Sequence, residues 1–113
     1  MIEQIFQLSD SVRYVAIYKN GQLESKSKSN TAGASSSESD RYEEILVNPT
    51  LLKLTSQRGS IDCGGMEYVL VRYGNFFQFV LPVYWGHVSV CIEKNADPIE
   101  IGLRVRSLVL SGS

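Results

Sequence analysis

Residues 66–93 read MEYVLVRY, GN, FFQFVLPVY, WG and HVSVCIE, and this stretch decides the fold. The three apolar runs are separated by Gly74-Asn75 and Trp85-Gly86, each of which contains a turn-forming glycine. Strands that tight turns connect pair antiparallel, so the stretch predicts a three-stranded meander. The runs are almost continuously hydrophobic, which indicates a sheet covered on both faces. The predicted strands are 66–73, 76–84 and 87–93.

A second pair of strands is predicted upstream of the meander. Residues 12–18 read VRYVAIY, and their β-branched and aromatic side chains favour a strand. Asn20-Gly21 predicts a hairpin, because both residues tolerate the positive φ angles of a two-residue turn. The return strand, 22–28, is polar and carries lysines, which is typical of a sheet edge. Within the meander, Pro82 predicts an irregularity or a strand end, because proline cannot donate to a ladder.

The middle of the chain predicts a strongly apolar helix. Asp40 followed by Glu43 matches a capping box, in which an acceptor at the cap precedes Glu by three residues. Asn48-Pro49 interrupts this helix, because proline is tolerated at a first helical position but not inside a helix. Gly59 is predicted to end it. We therefore expect two helical pieces, or one kinked helix, over 40–47 and 49–57.

Two further helices are predicted at the ends of the chain. Ile2, Ile5 and Phe6 have helical spacing within residues 2–9. Asp97-Pro98 supplies a cap and a first helical residue for a helix over 98–110. The class is therefore α+β: a five-stranded antiparallel sheet with helices on both faces, in the order α-β-β-α-β-β-β-α. We expect a single domain over 1–113 with a flexible Ser-rich connector at 29–39.

Charge and hydropathy narrow the functional classes. The chain has 113 residues and a net charge of -1, which argues against a nucleic-acid binder that neutralises phosphates. No apolar run reaches the roughly 18–20 residues of a membrane span. The first residues, MIEQIFQLSD, lack the pattern of a signal peptide, so a cytoplasmic protein is expected.

The order and length of these elements resemble the roadblock family (dynein light chain roadblock type), within the wider longin, profilin and roadblock group. The stretches 57–65 (QRGSIDCGG), 72–76 (RYGNF) and 86–91 (GHVSVC) also resemble an uncharacterised archaeal family of roadblock-like proteins. The resemblance implies a non-enzymatic module that binds or regulates a small Ras-like GTPase or another signalling protein. It implies no cofactor, no metal and no catalytic residue.

The same resemblance implies a homodimer in which the middle helices pack together and the third strands pair into one ten-stranded sheet. An unprotected apolar strand is an aggregation hazard, which dimerisation would remove. The expected interface residues are Tyr42, Ile45, Leu46, Leu52, Tyr68, Val69, Leu70 and Val71. Aromatic and polar residues near the meander turns are expected to contact a partner. These candidates are Tyr73, Asn75, Phe76, Tyr84 and Trp85.

Two alternatives belong to other functional classes. A profilin-like sensor of small ligands predicts a pocket of roughly 300 Å³ or more between sheet and helix. A small hydrolase would need Cys63 or Cys91 within hydrogen-bond reach of His87, with Asp62 or Glu93 orienting the imidazole ring. His87 and Cys91 lie four residues apart in a predicted strand, which separates them by ~13 Å, too far for both to bind one zinc ion.

Overall fold

The computed structural model describes residues 1–28 and 37–112. Most of the predicted flexible connector at 29–39 lies outside the described residues, and its last three residues begin a helix. The elements in chain order are α1 (Ile2–Phe6), β1 (Val12–Lys19), β2 (Gln22–Ser27), α2 (Ser37–Tyr42), a π-helical segment (Glu43–Val47), α3 (Asn48–Asp62), β3 (Val69–Arg72), β4 (Phe76–Val83), β5 (Gly86–Glu93) and α4 (Pro98–Gly112).

The strands form one antiparallel sheet in the order β2-β1-β5-β4-β3. The predicted α+β class, with five strands and this order of helices and strands, is confirmed. Asn20 and Gly21 have the positive φ angles, 52° and 84°, that the predicted hairpin turn requires. The two edges of the sheet are β2, which is polar as expected, and β3, which is apolar.

One face of the sheet carries the main hydrophobic core. Side chains alternate along β5, so Val88, Val90 and Ile92 reach this face, where α1 and α4 cover them. Gly102 brings α4 close to the sheet, because a Cβ there would lie 2.5 Å from the ring of Phe79. The fully buried core is therefore shared between the sheet and the two terminal helices.

The opposite face is covered by the middle helix, which we define as the continuous run of α2, the π-helical segment and α3. It begins at Ser37, so Asp40 lies inside the helix and the predicted capping box is wrong. Pro49 occupies the first turn of α3, as expected. The π-helical segment comes directly before it, where α-helical hydrogen bonding is interrupted because proline has no N–H.

The middle helix also continues past its predicted end. Gly59 does not terminate it, and α3 runs to Asp62. Gly59 is instead buried, because a Cβ there would lie 3.0 Å from the backbone nitrogen of Met66. The chain leaves the helix at Gly64 and Gly65, which have φ angles of 78° and 93°.

β3 is shorter than predicted, and the position of Pro82 explains why. Val69 pairs with Val80, so the continued register would set Glu67 opposite Pro82. That pair would need a proline N–H directed at β3, and the ladder therefore stops at Val69. Among residues 1–28 and 37–112, no helix is long and apolar enough to span a membrane.

Candidate functional site

Within the described ranges, 1–28 and 37–112, β3 is an edge strand of the sheet, and its outer main-chain groups have no paired strand there. The Tyr73 N–H donates to the Phe76 carbonyl over 2.9 Å, and Val71 pairs with β4 two residues earlier. Hydrogen-bonding direction alternates along an antiparallel strand, so the N–H and C=O groups of Leu70 and Arg72 point away from β4. Such an apolar edge is a template for strand addition.

The side chains of β3 are divided between the two faces of the sheet. Tyr68 and Leu70 pack against the main core, with the Tyr68 ring 5.1 Å from that of Phe79. Alternation places Val69 and Val71 on the face of the middle helix. All four predicted interface residues here are half-buried, so part of each side chain is accessible in the protomer.

The middle helix exposes three of its four predicted interface residues. Tyr42, Ile45 and Leu46 are 60%, 39% and 51% exposed. Leu52 is only 8% exposed, because the helix turns it inward against the sheet. The protomer itself therefore covers Leu52, which is not available at the surface.

Two further exposed apolar residues on α3 were not predicted as interface residues. Leu54 is 60% and Ile61 is 76% exposed. They lie seven residues apart and so share one side of the helix, which packs on β4 beside the edge strand β3. Because the sequence predicts a helix end near Gly59, it does not indicate that Leu54 and Ile61 are residues of one helix.

A buried layer of polar side chains joins the middle helix to the sheet. His87 Nε2 lies 2.8 Å from Glu44 Oε1, and Asn48 Nδ2 donates to the same oxygen over 2.9 Å. Asn48 also reaches Ser89 Oγ at 3.4 Å. Gln78 donates to Ser89, and the Cys91 thiol donates to Gln78 Oε1 over 3.0 Å. We call this group the polar layer: Glu44, Asn48, Gln78, His87, Ser89 and Cys91.

Strand alternation explains the polar layer, although the sequence alone did not reveal it. His87, Ser89 and Cys91 occupy every second position of β5, opposite the valines and isoleucine of the core face. The run looked continuously apolar only because valines lie between them. Tyr18 stacks on the His87 ring at 5.5 Å between centroids and holds its orientation.

A cavity of about 310 Å³ opens beside the polar layer. Three of the predicted partner-contact residues, Tyr73, Asn75 and Phe76, line it together with Glu44. The other two lie at the β4–β5 turn, at the opposite end of these strands. Tyr84 is 94% exposed there, whereas Trp85 is buried in the core and carries Lys19 over its ring at 5.4 Å.

The electrostatics of the cavity are dominated by crowded carboxyl groups. Burial raises the pKa of Glu43, the Tyr73 hydroxyl bonded to it at 3.0 Å lowers it, and Glu44 raises it again. Burial, followed by the charge of Glu44, raises the pKa of Asp40. Burial and the neighbouring Glu43 raise the pKa of Tyr73 to about 12. Negative charge is therefore disfavoured in this cavity.

The thiols do not form the pair that a Cys/His hydrolase would require. Burial and then Glu44 raise the pKa of Cys91, which opposes thiolate formation, and its thiol bonds to Gln78. Cys63 is exposed and contacts Arg58 at 3.2 Å. His87 contacts Glu44 instead. Within the described part of the chain, neither thiol has a hydrogen bond to the imidazole.

The part of the chain that the structure describes contains no cluster of metal ligands. No group of three or more His, Cys, Asp or Glu residues there could hold an ion. Comparison with known proteins adds no assignment, because no family model and no curated protein matches the chain significantly.

Proposed function

We propose that the chain is a non-enzymatic interaction module that acts as a homodimer. The observation that carries this proposal is the edge strand β3, with its outward main-chain groups at Leu70 and Arg72. The other edge, β2, carries Glu24 and Lys26, which discourage pairing. Of the two edges that the described residues form, β3 is the apolar one, with a charged side chain only at its last residue, Arg72.

The exposed face of the middle helix supports the same proposal. Ile45, Leu46, Leu54 and Ile61 expose apolar surface on the helix beside this edge. Exposed apolar side chains gathered on one element are typical of interaction sites. A second copy would cover the strand edge by main-chain hydrogen bonds and the helix by apolar contact.

Symmetry restricts how two copies could join. A twofold axis perpendicular to the sheet keeps both middle helices on the same side, where they can pack together. Residues directly opposite in an antiparallel pair point to the same face, so one β3 residue must face its own copy across this axis. Leu70 and Val71 are the central residues of β3, so the twofold axis is expected to pass at one of these two residues.

Val71→Lys is expected to convert the dimer into a monomer, because it sets a charge into the centre of the pairing strands. Light scattering should give a mass near twice 12.6 kDa for the unmodified chain and near 12.6 kDa for the variant. Ser25→Lys on β2 is the matched control and should leave the dimer intact. A monomeric unmodified chain would refute the dimer, and a folded but still dimeric Val71→Lys chain would refute pairing through β3.

Cysteine cross-linking tests the register directly. In a Cys63→Ser background, either Leu70→Cys or Val71→Cys should form an intermolecular disulfide under mild oxidation. A residue opposite its own copy has Cα atoms about 4.5–5.5 Å apart, within the range of a disulfide. Ser25→Cys on the other edge should remain largely uncross-linked. If neither β3 cysteine cross-links faster than Ser25→Cys, edge pairing through β3 is wrong.

The roadblock resemblance extends the proposal to a partner, a small Ras-like GTPase. The chain contains no G-x-x-x-x-G-K-[ST] phosphate loop, so nucleotide hydrolysis would belong to the partner. Binding of purified GTPases from the source genome, loaded with GDP or GTP, would test this by calorimetry. Absence of binding to all of them would refute the partner and leave the dimer standing.

A small-ligand sensor is the second candidate function. The cavity beside the polar layer, about 310 Å³, reaches the size expected of a ligand site. Its mixture of carboxyl groups, two amides and aromatic rings is suited to recognising a small polar molecule.

A further inference from the structure

The cavity beside the polar layer has two chemically different walls. Its helical wall presents the carboxyl groups of Asp40, Glu43 and Glu44, which all come from the first two segments of the middle helix. Its sheet wall presents aromatic rings. The volume of about 310 Å³ lies at the lower end of the range of small-molecule pockets. A ligand with a charged group and an apolar carbon chain would match both walls.

The Glu44 carboxylate leaves one oxygen for such a ligand. Glu44 is fully buried, and its Oε1 already accepts from His87 and Asn48. Neither of these residues lines the cavity, whereas Glu44 does. Glu44 Oε2 has no hydrogen-bond partner among the described residues. A buried acceptor without a donor is costly, so this oxygen favours a ligand that donates hydrogen bonds.

The aromatic wall favours a positive charge. The rings of Tyr73 and Phe76 meet at 55° with centroids 5.4 Å apart, and Tyr14 lines the same cavity. Arg13 already lies over the Phe76 ring at 5.5 Å, which shows that this ring accepts a cation. Its guanidinium also pairs with Glu93 at 3.7 Å, so its charge is shared with a carboxylate outside the cavity.

We propose that this cavity binds a small aliphatic amine, with its ammonium group at Glu44 Oε2 and its carbon chain against the rings of Tyr73 and Phe76. This deepens the sensor function, on which it rests, and is independent of the dimer. An anion is disfavoured by three neighbouring carboxyl groups. The described residues also offer no cluster of metal ligands, whereas an ammonium group needs only hydrogen-bond acceptors and rings.

The pKa shifts of the helical wall agree with this ligand. Burial and the charge of Glu44 raise the pKa of Asp40, and burial raises that of Glu43. A cation that entered the cavity would relieve the mutual repulsion of these groups. Amine binding should therefore lower the pKa values of Asp40 and Glu43.

The test titrates the full chain with 1,4-diaminobutane and, as a neutral isostere, with 1,4-butanediol. Calorimetry and amide chemical shifts should report diamine binding with a Kd of about 1 mM or tighter. The shifted amides should cluster at Glu44, Tyr73 and Gln78. The diol should bind at least about tenfold more weakly, because it cannot form charge-assisted hydrogen bonds.

Matched variants assign the binding to the cavity. Glu43→Gln keeps an acceptor for Tyr73 but removes a charge, and should weaken diamine binding about tenfold. Glu100→Gln, on the opposite face of the sheet, should leave the Kd unchanged. No binding at saturating diamine, equal binding of the diol, or an unchanged Kd in Glu43→Gln would each overturn the proposal. These readouts do not depend on oligomeric state, so a negative result would leave the dimer proposal standing.

Discussion

Gly86→Ala is expected to leave the chain largely unfolded, because the added methyl group has no space. A Cβ at Gly86 would lie 1.8 Å from the carbonyl oxygen of Tyr18 and 2.9 Å from its carbonyl carbon. These atoms belong to the backbone of β1, which pairs with β5 at this point, so no side chain can rotate away. The φ angle of 152° adds strain for any residue with a side chain.

The expected loss exceeds about 4 kcal/mol, which approaches the whole stability of a small domain. Urea denaturation followed by circular dichroism would measure it. Gly74→Ala is the matched control, because a Cβ there meets nothing within 4 Å. That variant should change the free energy of unfolding by less than about 1 kcal/mol. A Gly86→Ala chain with the unmodified midpoint would show that β1 and β5 do not approach as described.

His87→Ala should cause the second largest loss, because it removes one partner of a buried hydrogen-bonded pair. His87 and Glu44 are both almost fully buried, and their side chains meet at 2.8 Å. Removing the imidazole leaves Glu44 Oε1 with Asn48 alone and opens a cavity in the core, which together cost about 3 kcal/mol or more. Thermal and urea unfolding would measure the change.

A double variant separates the pair from the packing around it. His87→Leu combined with Glu44→Leu replaces both polar groups by apolar ones and should recover most of the lost stability. Arg58→Ala breaks an exposed pair with Asp62 at 2.6 Å and should leave the unfolding midpoint unchanged. If His87→Ala is no worse than Arg58→Ala, the buried pair does not stabilise the fold.

The local parts of the fold could be predicted because their signals are short. Asn20-Gly21 identified the hairpin, and the glycine-containing turns after Tyr73 and Tyr84 separated the meander strands. The length of β3 could not be predicted in the same way. It depends on which residue of β4 faces Glu67, and that register exists only once the strands are paired.

The exposure of the candidate residues could also be predicted only in part, because it too depends on how distant segments pack together. The roadblock resemblance implied Tyr42, Ile45 and Leu46 as interface residues, and all three are exposed, while their role in an interface stays a prediction. Leu52 was misplaced because the direction of a helix face depends on what it packs against. The hydrogen bond between Glu44 and His87 joins residues 43 positions apart in the sequence, and no local pattern predicts it.

The unlike edges of the sheet set a limit on assembly. If two protomers join through β3, the resulting ten-stranded sheet ends in β2 on both sides. Those strands carry Glu24 and Lys26, which resist further addition of strands. Assembly would then stop at two copies. Raising the protein concentration should increase the fraction of dimer without producing fibrils.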